Sequence, residues 1–320
     1  MSVRYGHPAR RGALPWQRWT GSEREALKWA LIFLAPWIFG FVVFTAGPML
    51  WSLWLSFTDY DPFRGRGTFI GLDNYATLAR DGRVMLALGN TLYFTLLYVP
   101  LSMAFALLLA LILNRIGGWS AGLFRTIFYL PNVTPAVAVG TLFLLVLNGQ
   151  SGLLNQALGA VGISGPSWLN DPGWVKNGIV IMMLWSVGGT VVIYFAALRN
   201  VPGELYEAAR MDGASSWQQF LSITVPMISG ALFFTLVINT IASLQLFTEV
   251  YTMFYGAQTG QSAGTERAAL FYVIYLFRNA FEFFRMGYAS ALAWVLFAVI
   301  LVITVIQLRL SKRWVYYEGD

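Results

Sequence analysis

Glu207, Arg210 and Asp212 stand close together around Ala208, Ala209 and Gly213. Their chemistry is that of ion pairing and close backbone approach, not of bond making. Catalysis lacks its usual groups. The one histidine, His7, lies in a polar N-terminal arm, there is no cysteine, and no carboxylate pair falls inside an apolar segment. Without cysteine, disulfides, thiolate metal sites and thiol chemistry are all excluded. The three lysines are Lys28, Lys176 and Lys312, and none follows a glycine in a Gly-x-x-x-x-Gly-Lys-Ser/Thr loop. Any ATP used with this chain is therefore bound elsewhere, and no cofactor is expected on it.

A second polar group, Asn239, Thr240, Ser243, Gln245 and Glu249, interrupts an otherwise apolar stretch. At helical spacing Asn239, Ser243 and Leu246 share one face, with Gln245 and Glu249 on a neighbouring one. Such residues either hold helices together in lipid or meet a solute that crosses. Both readings stand. Glu249 is expected at the outer mouth of its helix, and its isolation argues against proton or sodium coupling, which uses intramembrane ionisable groups.

The elements that carry these residues belong to a membrane. The chain is 57% hydrophobic and 11% charged, against about 25% charged in a soluble domain. Uncharged runs separate Lys28 from Asp59, Arg83 from Arg115, Arg125 from Asp171, Lys176 from Arg199, Asp212 from Glu249, and Arg285 from Arg309. Each is long enough for the roughly 20 residues that cross a hydrocarbon core. Six spanning helices are expected, near Trp29–Leu55, Asn90–Leu113, Thr126–Leu147, Gly178–Leu198, Met227–Thr248 and Gly287–Leu308. Pro36, Pro48 and Pro100 favour kinks, and Pro131 with Pro135 shapes the start of the third span. The fold class is an all-α polytopic membrane protein. Ala268–Phe277 is too short to cross and reads as an interfacial helix, a re-entrant helix, or one packed on the outer ends of the bundle.

Charge sets the orientation. The segments 1–28, 113–125, 199–225 and 309–320 hold most of the 21 Lys and Arg residues, so the positive-inside rule places both termini in the cytoplasm. The layout is a basic arm over 1–28, a transmembrane domain over 29–309 containing a cytoplasmic loop at 199–226, and a tail over 310–320. Arg4, Arg10, Arg11, Arg18, Arg24 and Lys28, interleaved with Trp16 and Trp19, suit an anionic lipid surface rather than nucleic acid. The first apolar run is too long for a signal-peptide core.

The loop at 199–226 reads as a knob. Pro202 and Gly203 end the fourth span, Glu204 to Met211 suits a short helix with acids near its N-terminus, and Gly213 permits a positive φ. A second short helix over Ser215–Leu221 leads through Pro226 into the fifth span.

The run from Leu198 to Ile228, LRNVPGELYEAARMDGASSWQQFLSITVPMI, closely resembles the carbohydrate branch of ABC importer permeases, relatives of the maltose and glycerol-3-phosphate membrane subunits. Phe69–Tyr75, Phe124–Pro131, Trp168-Leu169 and Gly287–Ala291 resemble the same branch, and the Phe-Arg and Trp-Leu pieces its maltose-type first permease. The resemblance implies a type I importer permease fold in the bacterial inner membrane. It also implies that the EAA loop residues Glu207, Ala208, Ala209 and Gly213, with Arg210 and Asp212 beside them, form a coupling helix seated in an ATP-binding subunit. Two such subunits, a second homologous permease and an extracytoplasmic solute-binding protein are the implied partners. The cargo is then a sugar, a di- or oligosaccharide, or else a glycerol-phosphate-type solute. Two departures stand out: Gly256-Ala257-Gln258-Thr259-Gly260 replaces the usual Gly-Gly-Pro, and Gly230 stands where proline is common. The other classes open to such a chain, an autonomous secondary transporter or a membrane enzyme, would need inverted repeats with buried coupling residues or catalytic groups that the sequence does not offer.

Overall fold

The computed structural model of the chain describes residues 21–116, 118–255 and 267–316. The basic residues before Gly21, His7 and the Gly256–Gly260 segment lie outside them. Contacts divide the chain into two units, Met1–Leu55 and Ser56–Asp320.

In the first unit, helix α1 (Gly21–Phe41) continues through a π-helical turn at Val42–Ala46 into α2 (Gly47–Leu55). The helix starts inside the basic arm. Pro36 leaves α1 unbroken. Pro48 acts differently. An α-helix would press its ring on the carbonyl four residues back, and the wider turn, in which Gly47 N–H reaches Val42 O, makes room for it.

The second unit opens with a looped segment carrying two isolated bridges, Thr58 with Phe69 and Asp61 with Arg66. It then contains α3 (Asp73–Arg80), α4 (Gly82–Arg115), α5 (Gly118–Tyr129), α6 (Ala136–Val146), α7 (Leu153–Ala160), α8 (Val175–Trp185) and α9 (Gly188–Arg199). After these come α10 (Gly203–Met211), α11 (Ser216–Gln219), α12 (Val225–Met227), α13 (Ser229–Leu244), α14 (Thr248–Phe254), α15 (Tyr272–Phe277) and α16 (Met286–Ser311).

Among the described residues, four helical stretches are long and apolar enough to cross a membrane, and the count reaches six if each of two bent pairs is one crossing. The pairs correct the expectation that Pro131 and Pro135 shape only the start of the third span, and the fourth span is bent as well. α5 and α6 meet at 100° across Leu130–Pro135, and α8 and α9 at 52° across Ser186-Val187. Pro131 and Pro135 withhold backbone donors at the first bend, which therefore falls in the middle of the third span and not at its start. At the second bend, a Cβ on Gly188 would lie 2.1 Å from Phe128 O. Only glycine lets α9 begin against the backbone of α5. Pro100, by contrast, does not break α4.

Two buried clusters hold the bundle. Towards the Gly82 end of α4 lie Phe94, Val99, Phe143, Ile179, Met182, Val250, Phe271 and Leu292. Towards its Arg115 end lie Ala106, Ala110, Leu113, Val191, Tyr194, Leu198 and Ile228. Lipid tails are as apolar as these side chains, so interhelical hydrogen bonds add direction at about 0.6 kcal/mol each. Tyr194 Oη and Thr235 Oγ1 join α9 to α13 at 2.6 Å, Ser243 Oγ donates to Thr95 Oγ1 of α4 at 3.1 Å, and Gln307 Nε2 of α16 donates to Thr240 Oγ1 at 2.9 Å.

The 268–277 segment packs into the bundle. Ala269, Phe271, Tyr272 and Ile274 are fully buried. Its irregular backbone is satisfied by α4: Asn90 Nδ2 donates to Arg267 O and Leu270 O, and Thr91 Oγ1 accepts from Tyr272 N–H. Non-helical backbone at membrane depth requires such partners. Nearby, Asp81 caps α4 by accepting from Arg83 N–H and receives the hydroxyls of Tyr275 and Tyr288. Burial alone would raise the carboxyl's pKa, but the Tyr275, Arg83 and Tyr288 hydrogen bonds outweigh it and hold the group below 3.8. The contribution of this clamp to stability is thus present above that value and is lost as the pH falls through the lower folded one.

Candidate functional site: a surface knob and a polar cavity

The knob is a closed local structure. Pro202 precedes α10, and Glu204 lies in its first turn. The helix ends in a Schellman turn: Gly213 has φ +79°, its N–H reaches Arg210 O, and Ala214 N–H reaches Ala209 O at 2.9 Å. Ser215 and Gln218 then form a reciprocal capping box that starts α11. A second π turn, Phe220–Thr224, again stands just before a proline, Pro226. Tyr206 Oη and Thr224 Oγ1, 2.9 Å apart, tie α10 to this turn.

What the knob presents is short and polar. Glu207, Ala208, Arg210, Asp212 and Gly213 are exposed, and Ala209 is half-buried. Beside them Met211 is 89% and Trp217 66% exposed. Arg210 Nε donates to Tyr206 O, and neither Glu207 nor Arg210 has an ion-pair partner among the described residues. A groove lined by Leu107, Leu111, Arg115, Tyr206, Trp217 and Phe220 puts the knob at the Arg115 end of α4. The tail reaches the same end, where Tyr316 N–H donates to Ser229 Oγ.

Deeper in the bundle, level with Tyr98 midway along α4, is a cavity of about 450 Å³. Its polar lining comes from the bends: Asn132 and Thr134 at the α5–α6 corner, Ser186 and Thr190 at the α8–α9 break, then Asn239 of α13 and Glu249 of α14. Broken helices free backbone groups that only protein or water-filled space can satisfy, so a polar cavity at two such breaks follows from the chemistry.

The four sequence-derived pathway residues separate. Asn239 and Glu249 line the cavity together. Ser243 does not; it is buried, bonded to Thr95 and to Thr240 O, and acts as a helix-to-helix tie. Gln245 is exposed at the C-terminus of α13 and is not part of the lining. For Gln245 the reason is a change of direction. α13 stops at Leu244 and Phe247 takes φ −139°, ψ −65°, so a single helical wheel over 239–249 misplaces everything after Leu244. The same turn carries Glu249 to the cavity instead of the outer mouth.

The model of the family described as binding-protein-dependent transport system inner membrane component matches residues 102–316. The chain belongs to this family. The permease is 39% identical over 290 residues to the probable ABC transporter permease protein YesP of Bacillus subtilis (strain 168), across 90% of this chain and 91% of that one. It is 36% identical over 289 residues to the lactose transport system permease protein LacF of Rhizobium radiobacter, across 88% and 93%. A chain of a bacterial ABC transporter involved in the import of the acidic polysaccharide alginate shares its fold at TM-score 0.77 with 27% identity, across 91% and 96%. A chain of the alginate transporter in complex with an alginate pentasaccharide-bound periplasmic protein matches at TM-score 0.77 with 26% identity, across 93% and 98%. The fold is therefore that of type I ABC importer permeases, and the permease is a transport component of the inner membrane, not an enzyme.

Proposed function

We propose that this permease is the membrane-spanning half-pathway of an ATP-driven importer for a di- or oligosaccharide. A second homologous permease completes the pathway, two ATP-binding subunits seat the knobs, and a binding protein delivers cargo at the Gly82 end. The knob and both termini face the cytoplasm. The carrying observation is mechanical continuity. The knob runs without a flexible linker into α12 and α13, and α13 bears both the Tyr194 contact to α9 and the cavity residue Asn239. Movement of the knob thus displaces two cavity walls, α13 directly and α9 through Thr235. A rigid element with two placements is what alternating access needs. Relatives named for lactose and arabinooligosaccharides support a saccharide cargo.

Filling the cavity tests this. Thr190→Trp, at the α8–α9 break, is expected to abolish uptake by the reconstituted transporter while ATP hydrolysis continues. Wild-type uptake through the filled cavity would remove it from the pathway.

A further inference from the structure

The cavity holds a second message, about charge. Glu249 is half-buried there, and among the described residues it has neither an ion pair nor a side-chain hydrogen bond. Among the described residues, no lysine or arginine lines the cavity, and Tyr98 is the only other titratable group that does. Asn239 lines it too, and its Nδ2 is buried without an acceptor. The cavity therefore offers an unopposed carboxylate acceptor, with Asn239 also in its lining.

We infer that Glu249 makes the cavity selective for uncharged or cationic saccharides and excludes anionic ones such as uronates and sugar phosphates. This rests on the cavity being the solute pathway. A hydroxyl donates to the carboxylate in a charge-assisted bond. An ammonium group is attracted. An anion leaves water, meets a like charge within the bundle where screening is weak, and finds no cation to offset the loss. The glycerol-phosphate-type cargo left open by the sequence is disfavoured on the same ground.

Digalacturonate and its dimethyl ester share one carbohydrate skeleton, the ester trading both carboxylate charges for methyl groups, and comparing them across the Glu249 variants isolates the charge. Binding of each to the assembled transporter in nanodiscs, without the binding protein, can be measured by saturation-transfer NMR titration. The wild type is expected to bind the ester about tenfold more tightly than the acid, or more. Glu249→Gln should bring the ratio near one, and Glu249→Asp, which keeps the charge, should preserve the preference. Equal binding of both probes by the wild type, or an unchanged ratio in Glu249→Gln, overturns the charge filter while leaving the pathway intact. Binding of neither probe to any of the three proteins overturns the cavity as a solute site, and the filter with it.

Discussion

Glu207→Arg is expected to abolish uptake while the protein still inserts in the membrane and keeps its thermal stability. Glu207 is exposed on α10 with no ion-pair partner among the described residues, so the described fold does not depend on its charge. The residues that shape the knob lie elsewhere: the Schellman turn at Gly213, the capping box at Ser215, and the Tyr206–Thr224 contact. In the proposed assembly, reversing the charge would put a cation where the ATP-binding subunit is expected to meet a carboxylate. Losing one partner of a buried interfacial pair costs about 2–5 kcal/mol, and reversal adds repulsion to that loss. Uptake, co-purification of the ATP-binding subunit and melting temperature should be read on one preparation. Normal uptake would show that Glu207 is not at the docking surface, and a lowered melting temperature would show that its role is structural.

Gly188→Ala is expected to have the second large effect, of the opposite kind. The added Cβ would lie 2.1 Å from Phe128 O, 2.9 Å from Phe128 C and 2.9 Å from Tyr129 Cα. All three are backbone atoms, so no side chain can turn aside. Either α9 moves off α5 or the chain destabilises by about 3 kcal/mol or more, as overpacking against a rigid neighbour does. The contact sits between the two bends that form the cavity, so the variant should lose both stability and uptake. Gly189→Ala is the control. Its Cβ would come no nearer than 3.4 Å, to the Asn132 side chain, and near-normal stability is expected. Equal melting temperatures for Gly188→Ala and wild type would show that the α5–α9 approach is looser than the structure has it.

The knob was legible in the sequence because its determinants are local. Proline before α10, glycine at a left-handed C-terminal turn and Ser-x-x-Gln at the next start are each read within a few residues. The crossings were legible because a charge inside lipid is expensive, about 2.5–3.5 kcal/mol at a helix centre, so Asp and Arg mark the limits of each run. The cavity was not legible as a place. Asn239 and Glu249 stood out as polar residues, but Ser243, which is buried as a tie to α4, and Gln245, which lies beyond the break after Leu244, were grouped with them. Asn132, Thr134, Ser186 and Thr190 were missed, although Pro131–Pro135 and Gly188-Gly189 mark the two interrupted spans that bring them together. Interrupted apolar segments are themselves the signal for a central binding region, and the prolines were read instead as local kinks and as the start of the third span. The 268–277 segment resolved only in three dimensions, because its partners Asn90 and Thr91 lie far away in the chain.

The chain contains no cysteine, so a single Thr190→Cys substitution gives a clean reporter inside the cavity. Its labelling by a membrane-impermeant maleimide, applied from either face of the reconstituted transporter with and without trapped ATP, follows which side the cavity opens to. Reactivity should pass from one face to the other when ATP is bound, and Glu207→Arg should stop the exchange. Labelling from the same face in every state would contradict the transmission of knob movement to the cavity.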